Sequence, residues 1–287
     1  CMNVRLPDAP ALQMTPWRAR LDLRFARRDA ATILAASRHE GPLRIQKALY
    51  PEGRAICHAI VLHPPSGIAG GDRLEIDVDV GADAEVLLTT PGAGKWYRSA
   101  GPEATQSLTF RVGEGAGLEW LPQESIVFDG ARAGMSARVE LAATARFFGW
   151  DILCLGRRAS SEQFRHGALA LATRIERDSR PIWLERGRLD GGSALFDSPA
   201  GLAGFSVVGT LLATGADLDP ATLAECRAIE ADEAGARHGL SALPDLLVAR
   251  YLGHSSEAAR GWFAALWRVL RPTYMGRAAV APRIWNT

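Results

Sequence analysis

Apolar and polar residues alternate along most of this chain. From Trp17 to Arg27, Leu21, Leu23 and Phe25 fall on one face while Arg20, Asp22 and Arg24 fall on the other. From Arg73 to Val80, Leu74, Ile76, Val78 and Val80 oppose Glu75, Asp77 and Asp79. A period of two is that of a strand with one buried face. The same alternation recurs at 43–50, 54–63, 84–90, 105–112, 136–143, 146–155, 168–177 and 205–214, between turns rich in Gly, Pro and Asp. The chain therefore reads as mainly β to about residue 215. No sequence repeat of fixed 20–50-residue period demands a propeller or solenoid.

The pattern changes after 215. Asp219 is placed to cap a helix with Pro220 at its first position and Leu223, Cys226 and Ile229 on one face. Ser255 can cap a second helix, in which Ala259, Trp262, Phe263, Leu266 and Leu270 recur at three and four residues. That helix is expected to run to about Arg271 and to stop at Pro272. Neither helix belongs to a sustained strand–helix alternation, so a doubly wound parallel sheet is not expected. No linker-like segment divides residues 1–287, which read as one domain, β-rich to about 215 with a helical C-terminal portion.

With 287 residues, 47% hydrophobic and 23% charged, the composition is that of an ordinary globular protein and excludes disorder as its main theme. The formal charge of +1 gives no overall field for nucleic acid or an anionic membrane. No apolar run approaches a membrane span, and the first 30 residues interleave Arg with apolar side chains where a signal peptide needs an unbroken apolar stretch. A cytoplasmic protein is expected. Cys1, Cys57, Cys154 and Cys226 are too scattered for a disulfide framework or a structural zinc site.

Several catalytic patterns fail on inspection. Gly92-Ala93-Gly94-Lys95 resembles the end of a phosphate loop, but Thr89 stands where that loop needs Gly, and Trp96 where it needs Ser or Thr. Gly113, Gly115 and Gly117 are followed by no helix of a dinucleotide fingerprint, and Gly204 to Gly209 lacks the spacing of a nucleophile elbow around Ser206. The six histidines include no pair at helical spacing beside a Glu. What remains is a set of polar residues inside strand-like stretches. Cys57 and His63 share a strand face, either as core thiol and turn imidazole or as a soft pair able to touch metal. Asp151 lies within the apolar stretch Phe147 to Leu155, and Glu185 follows Ile182-Trp183-Leu184. Such carboxylates either pair with arginine or line a polar route through the interior. Pairing is the default, with Arg146, Arg157 and Arg186 near in sequence.

Leu62-His63-Pro64-Pro65-Ser66-Gly67-Ile68-Ala69-Gly70-Gly71-Asp72 and then Leu88-Thr89-Thr90-Pro91-Gly92-Ala93-Gly94-Lys95-Trp96-Tyr97-Arg98-Ser99 resemble the UreD family of urease accessory proteins, called UreH in some organisms. Trp120-Leu121-Pro122-Gln123-Glu124, Gly149-Trp150-Asp151 into Cys154-Leu155-Gly156-Arg157, and Pro282-Arg283-Ile284-Trp285-Asn286-Thr287 follow in the same order. The resemblance covers nearly the whole chain, with Ser66 and Ser161 standing where the family tends to have Gly. It implies an elongated, β-helix-like stack of strands with a few C-terminal helices and no enzymatic activity. It further implies a urease maturation scaffold that binds apo-urease subunits and recruits UreF and the GTPase UreG for nickel insertion.

Nickel would then be cargo in transit, with no tightly bound cofactor. Candidates for a passage are His63, Asp72, Thr90, Asp151 and Glu185, each open to a structural reading, such as Asp72 capping the turn after Gly70-Gly71. The alternative is a plain docking adaptor without metal transit. Transit calls for weak, separated ligands, since a closed set would trap the ion. Gly67, Gly70, Gly71, Gly92 and Gly94 are expected in tight turns or at close backbone approaches. Trp262, Trp267, Tyr274 and Ile284-Trp285 exceed what one helix face buries, so they either present exposed surface to apo-urease and UreF or simply close the core.

Overall fold

The computed structural model describes residues 16–65 and 67–286. Cys1, Ser66 and Thr287, named above, lie outside the described residues. The chain opens with an antiparallel hairpin of β1 (Arg18–Arg28) and β2 (Ala31–Glu40), followed by the short β3 (Arg44–Ile45).

Four coils come next. The first runs through β4 (Ile56–Leu62), β5 (Gly67–Ile68) and β6 (Arg73–Val80), and the second through β7 (Glu85–Thr89), β8 (Gly94–Trp96) and β9 (Ala104–Val112). The third runs through β10 (Gly117–Leu121), β11 (Ser125–Val127) and β12 (Arg132–Leu141), and the fourth through β13 (Arg146–Leu155), a 3₁₀ turn at Arg158–Ser160 and β14 (Ala168–Arg177). Equivalent strands of successive coils pair in parallel: β4–β7–β10–β13 in one sheet, β6–β9–β12–β14 in the other, β5–β8–β11 at the corner. This is a β-solenoid of about four turns, the helix-like stack expected from the resemblance.

Antiparallel strands close it. β15 (Arg180–Asp190) turns back on β14, and β16 (Val207–Thr214) on β13. After α1 (Pro220–Arg227), β17 (Arg237–Leu243) and β18 (Leu246–Gly253) form a hairpin that extends the β13 sheet beyond β16. Then α2 (Ser256–Met275) and a 3₁₀ turn at Arg283–Asn286 complete the described chain. The region after 215 thus carries a strand pair as well as two helices.

The two sheets bury different patterns for one reason. In the β1–β6 sheet only the inner face is covered, so Leu21, Leu23, Phe25, Leu74, Ile76 and Val78 point inward, and the other face stays charged. There an ion-pair ladder crosses the strands, with Arg111 at 3.3 Å from Asp79 and 3.4 Å from Glu140, and Arg138 at 2.6 Å from Glu140 and 3.1 Å from Glu176. In the β13 sheet both faces are covered, one by the opposite sheet and one by α2, so β7 and β10 are buried at every residue.

The helices follow their caps. Asp219 accepts hydrogen bonds from the N–H groups of Ala221 and Thr222, and Ser255 accepts one from Ala258. The positive end of α2 is also filled by Glu233, whose carboxylate accepts the N–H groups of His254 at 2.7 Å and Ser255 at 3.0 Å. The expected stop at Pro272 is corrected, because α2 continues to Met275 and ends at Gly276, which adopts φ +65° and donates back to Pro272 O. Proline removes one hydrogen bond near the helix end, while burial of Tyr274 and Met275 holds the last turn in place.

The expectation of exposed C-terminal aromatics is corrected too. Trp262, Trp267 and Tyr274 are buried between α2 and the β13 sheet, and Trp285 folds back to donate its indole N–H to Thr89 Oγ1 at 2.9 Å. They close a second core on the back of the sheet. At its centre Arg271, wholly buried, binds Glu52 at 2.7 Å and Glu119 at 2.8 Å. Glu119 also accepts the Trp267 indole N–H, and Glu52 hydrogen-bonds His58 at 2.6 Å. Burial pushes the Glu52 carboxyl upward, but the bonds from His58 and Arg271 outweigh it and hold it down at about 2.

Among the expected glycine turns, Gly71 adopts φ +95°, a conformation costly for other residues. A Cβ on Gly67 would lie 2.0 Å from the Tyr97 ring, and one on Gly70 would lie 2.2 Å from Ser99 Oγ. Gly92 and Gly94 have room for a side chain. Ser161 has φ +58°, a left-handed conformation that glycine adopts at less cost.

Candidate functional site

Strand alternation decides what faces the space between the sheets. On β13, Phe148, Trp150 and Ile152 meet α2, so Phe147, Gly149, Asp151 and Leu153 point the other way. Asp151 stands beside Thr210 of β16, and Thr210 beside Arg250 of β18. These three make a polar row across an otherwise apolar inner face. Glu185 comes from β15 on the opposite sheet and completes it: Arg250 donates to Glu185 Oε1 and to Thr210 Oγ1, both at 2.7 Å.

The row borders a cavity of about 460 Å³ between the sheets. One water occupies ~30 Å³, so the space is ample for a hydrated cation. His63, Thr90, Asp151 and Glu185 all line it, together with Glu124 and Arg250. Four of the five residues singled out from the sequence are therefore gathered by the fold around one space. Asp72 is not among them. Its two carboxylate oxygens accept the N–H groups of Trp17 and Ala69, each at 2.8 Å, so it ties the turn after β5 to the start of β1. The passage role considered for Asp72 gives way to this structural one, since both oxygens are already engaged.

The lining groups differ in how free they are. Thr90 accepts the Gln123 N–H at 2.9 Å and so secures the neighbouring turn. Glu185 is paired as the default reading expected, but with Arg250, 65 residues away. Of the arginines near in sequence, Arg146 pairs with Glu85 and Arg157 with Glu162 at 2.7 Å. Asp151 has no ion pair among the described residues. The residue is exposed to solvent, and the surface it shows is part of the cavity wall, where protein atoms crowd it closely. Burial pushes its carboxyl up to about 6, Glu185 adds to the rise, and the Ile152 N–H opposes it. Burial also pushes the His63 imidazole down, against the pull of Asp72.

Cys57, which shares a face with His63, belongs to the closed core, and burial raises its thiol to about 11. The core reading holds for it, because a protonated buried thiol is a poor ligand. Sequence reasoning missed Arg250 and Thr210, whose signal was a polar residue on the inward face of an apolar strand.

The oxygen and nitrogen donors are spread singly along the cavity. Among the described residues no group of three or more His, Cys, Asp or Glu is placed to hold a metal ion. Nor do the other patterns become sites. Gly94 and Lys95 lie in β8, paired with β5 and β11, where a phosphate loop would lead into a helix. Ser206 Oγ is 3.3 Å from His254 Nδ1, but Arg158 approaches the same nitrogen at 2.7 Å and occupies the lone pair that a general base would need.

A family model described as "UreD urease accessory protein" matches residues 18–286. The chain belongs to the UreD family. It is 58% identical over 289 residues to the urease accessory protein UreD of Dechloromonas aromatica, with all of both chains covered. It is 55% identical to UreD of an Azoarcus species, with 94% of each chain covered, and 51% identical to UreD of Pseudomonas aeruginosa over full length. As a UreD family member it is a urease accessory protein, and no helix of its described residues is long and apolar enough to cross a membrane.

Proposed function

We propose that this UreD-family chain is a non-catalytic cytoplasmic scaffold for urease maturation. It binds apo-urease, recruits UreF and UreG, and lets Ni²⁺ move toward the urease active site through the cavity between its sheets. The observation that carries this reading is the convergence of His63, Thr90, Asp151 and Glu185 on one cavity, where the Asp151 carboxylate has no ion pair among the described residues. A carboxylate that faces the cavity with no cationic partner keeps its oxygens free to meet a passing cation. Singly spaced donors bind a divalent ion weakly enough to release it. With Gly94-Lys95 committed to a strand, the GTP-dependent part of the process falls to a partner.

The test is co-expression with the apo-urease subunits, pull-down of the complex and nickel analysis of the urease. Asp151→Leu places bulk where the cavity is lined and should leave the complex intact while giving urease poor in nickel. Normal complex with fully metallated, active urease would rule out a route past Asp151 and leave the docking adaptor.

A further inference from the structure

Arg250 is a cation inside the proposed cation route. It lines the cavity, stands in the same row as Asp151 and Thr210, and bonds Glu185 at 2.7 Å. Its side chain is 42% accessible, so it is not locked by packing, and the Trp183 ring lies 5.7 Å from its guanidinium carbon. An arginine stays charged at every working pH, and an aromatic face gives it a second place to rest. Without it, Asp151, Glu185 and Thr210 would present two carboxylates and a hydroxyl from facing sheets, a combination suited to holding a divalent ion.

Resting on the passage reading above, we propose that Arg250 is a tethered counter-ion that occupies Glu185 between transits, yields it to an incoming Ni²⁺ and then displaces the ion, so that the cavity passes nickel instead of storing it.

The full chain is dialysed to equilibrium against NiCl₂, and folding is checked by circular dichroism and melting. Arg250→Met should hold Ni²⁺ about tenfold more tightly than the unaltered protein, because a fixed positive charge near the carboxylates is gone. Arg250→Gln keeps hydrogen bonding without charge, should behave the same way, and serves if the Met variant fails to fold. Arg250→Lys should restore weak binding, and adding Glu185→Gln to Arg250→Met should abolish the gain. In co-expression the Met variant should still bind apo-urease and yield urease poorer in nickel. Unchanged Ni²⁺ retention in the folded Met or Gln variant, or full retention in the double variant, would overturn the proposal. Because dialysis needs no urease, it reads Arg250 independently of Asp151→Leu, whose failure would strike the passage reading itself.

Discussion

Replacing Arg271 by Met tests whether the charge cluster behind the β13 sheet fastens α2 to the solenoid. The guanidinium is completely buried and binds Glu52 and Glu119 at 2.7 and 2.8 Å, so its removal leaves Glu52 with His58 and Glu119 with the Trp267 indole as their remaining partners in the second core. Breaking a buried ion pair by removing one partner costs about 3–5 kcal/mol. Unfolding entropy of ~2.1 cal/mol/K per residue gives about 0.6 kcal/mol/K for a chain of this length, so ~4 kcal/mol lowers Tm by about 7 °C. The sign of the pH dependence follows from Glu52, whose folded carboxyl is held at about 2, below its ordinary 4.5. Its pairing therefore stabilises in full above about pH 4.5 and is lost as pH falls toward 2. In the variant the two carboxylates, left without the guanidinium, are relieved by protonation, so the gap in Tm should narrow between pH 7 and pH 4.5. Differential scanning calorimetry at the two values measures this. A loss below 2 °C at pH 7, or one equal at both pH values, would refute the reasoning.

The carboxyl of Asp151, raised to about 6, binds a cation only when ionised, so Ni²⁺ uptake by the full chain in equilibrium dialysis should climb between pH 5 and 7. The same profile in Asp151→Asn would contradict this. Gly71→Val and Gly70→Val should cut the soluble folded yield several-fold while Gly92→Ala leaves it unchanged, as read by size-exclusion chromatography. Burial holds the thiols of Cys57 and Cys226 up at about 11, so peptide mapping after iodoacetamide treatment at pH 8 should find both unmodified in the native protein and modified after unfolding.

How much could be read from the residues depended on whether polar and apolar side chains alternate, which burial of both faces does not always erase, as β7 shows. β6, β13 and β14 span the stretches that alternation marked, because on them inward and outward positions differ in polarity or size. β10, buried as fully as β7, escaped notice because it is short and leads straight into Pro122. β15 and β17 lie at sheet edges with mostly exposed residues, so little apolar pattern remains to mark them. The coil itself has no fixed sequence period, since its turns vary in length. His63, Asp151 and Glu185 were visible as polar residues in strand-like stretches and Thr90 through a family-like motif, but their convergence is a product of coil stacking. Asp72 was singled out through the same kind of motif, but it lies off the cavity and its carboxylate takes two backbone N–H groups. The cluster of Glu52, Glu119 and Arg271 joins residues up to 219 positions apart, beyond the reach of local pattern.

The antiparallel strands at the ends of the parallel coils bear on self-association. A bare terminal coil would offer another copy a parallel edge matching its own first strand, and such edges template fibres. Here the outermost strands of the β1–β6 sheet are β2 and β15, which run against their neighbours. Their edges carry Arg38, His39 and Glu40 on one and Arg180, Pro181, Arg186 and Arg188 on the other. A second copy meets reversed polarity, charge and a missing N–H donor at the places where polymer growth would begin. Parallel continuation of the coils from one copy into the next is thereby disfavoured at both edges of this sheet.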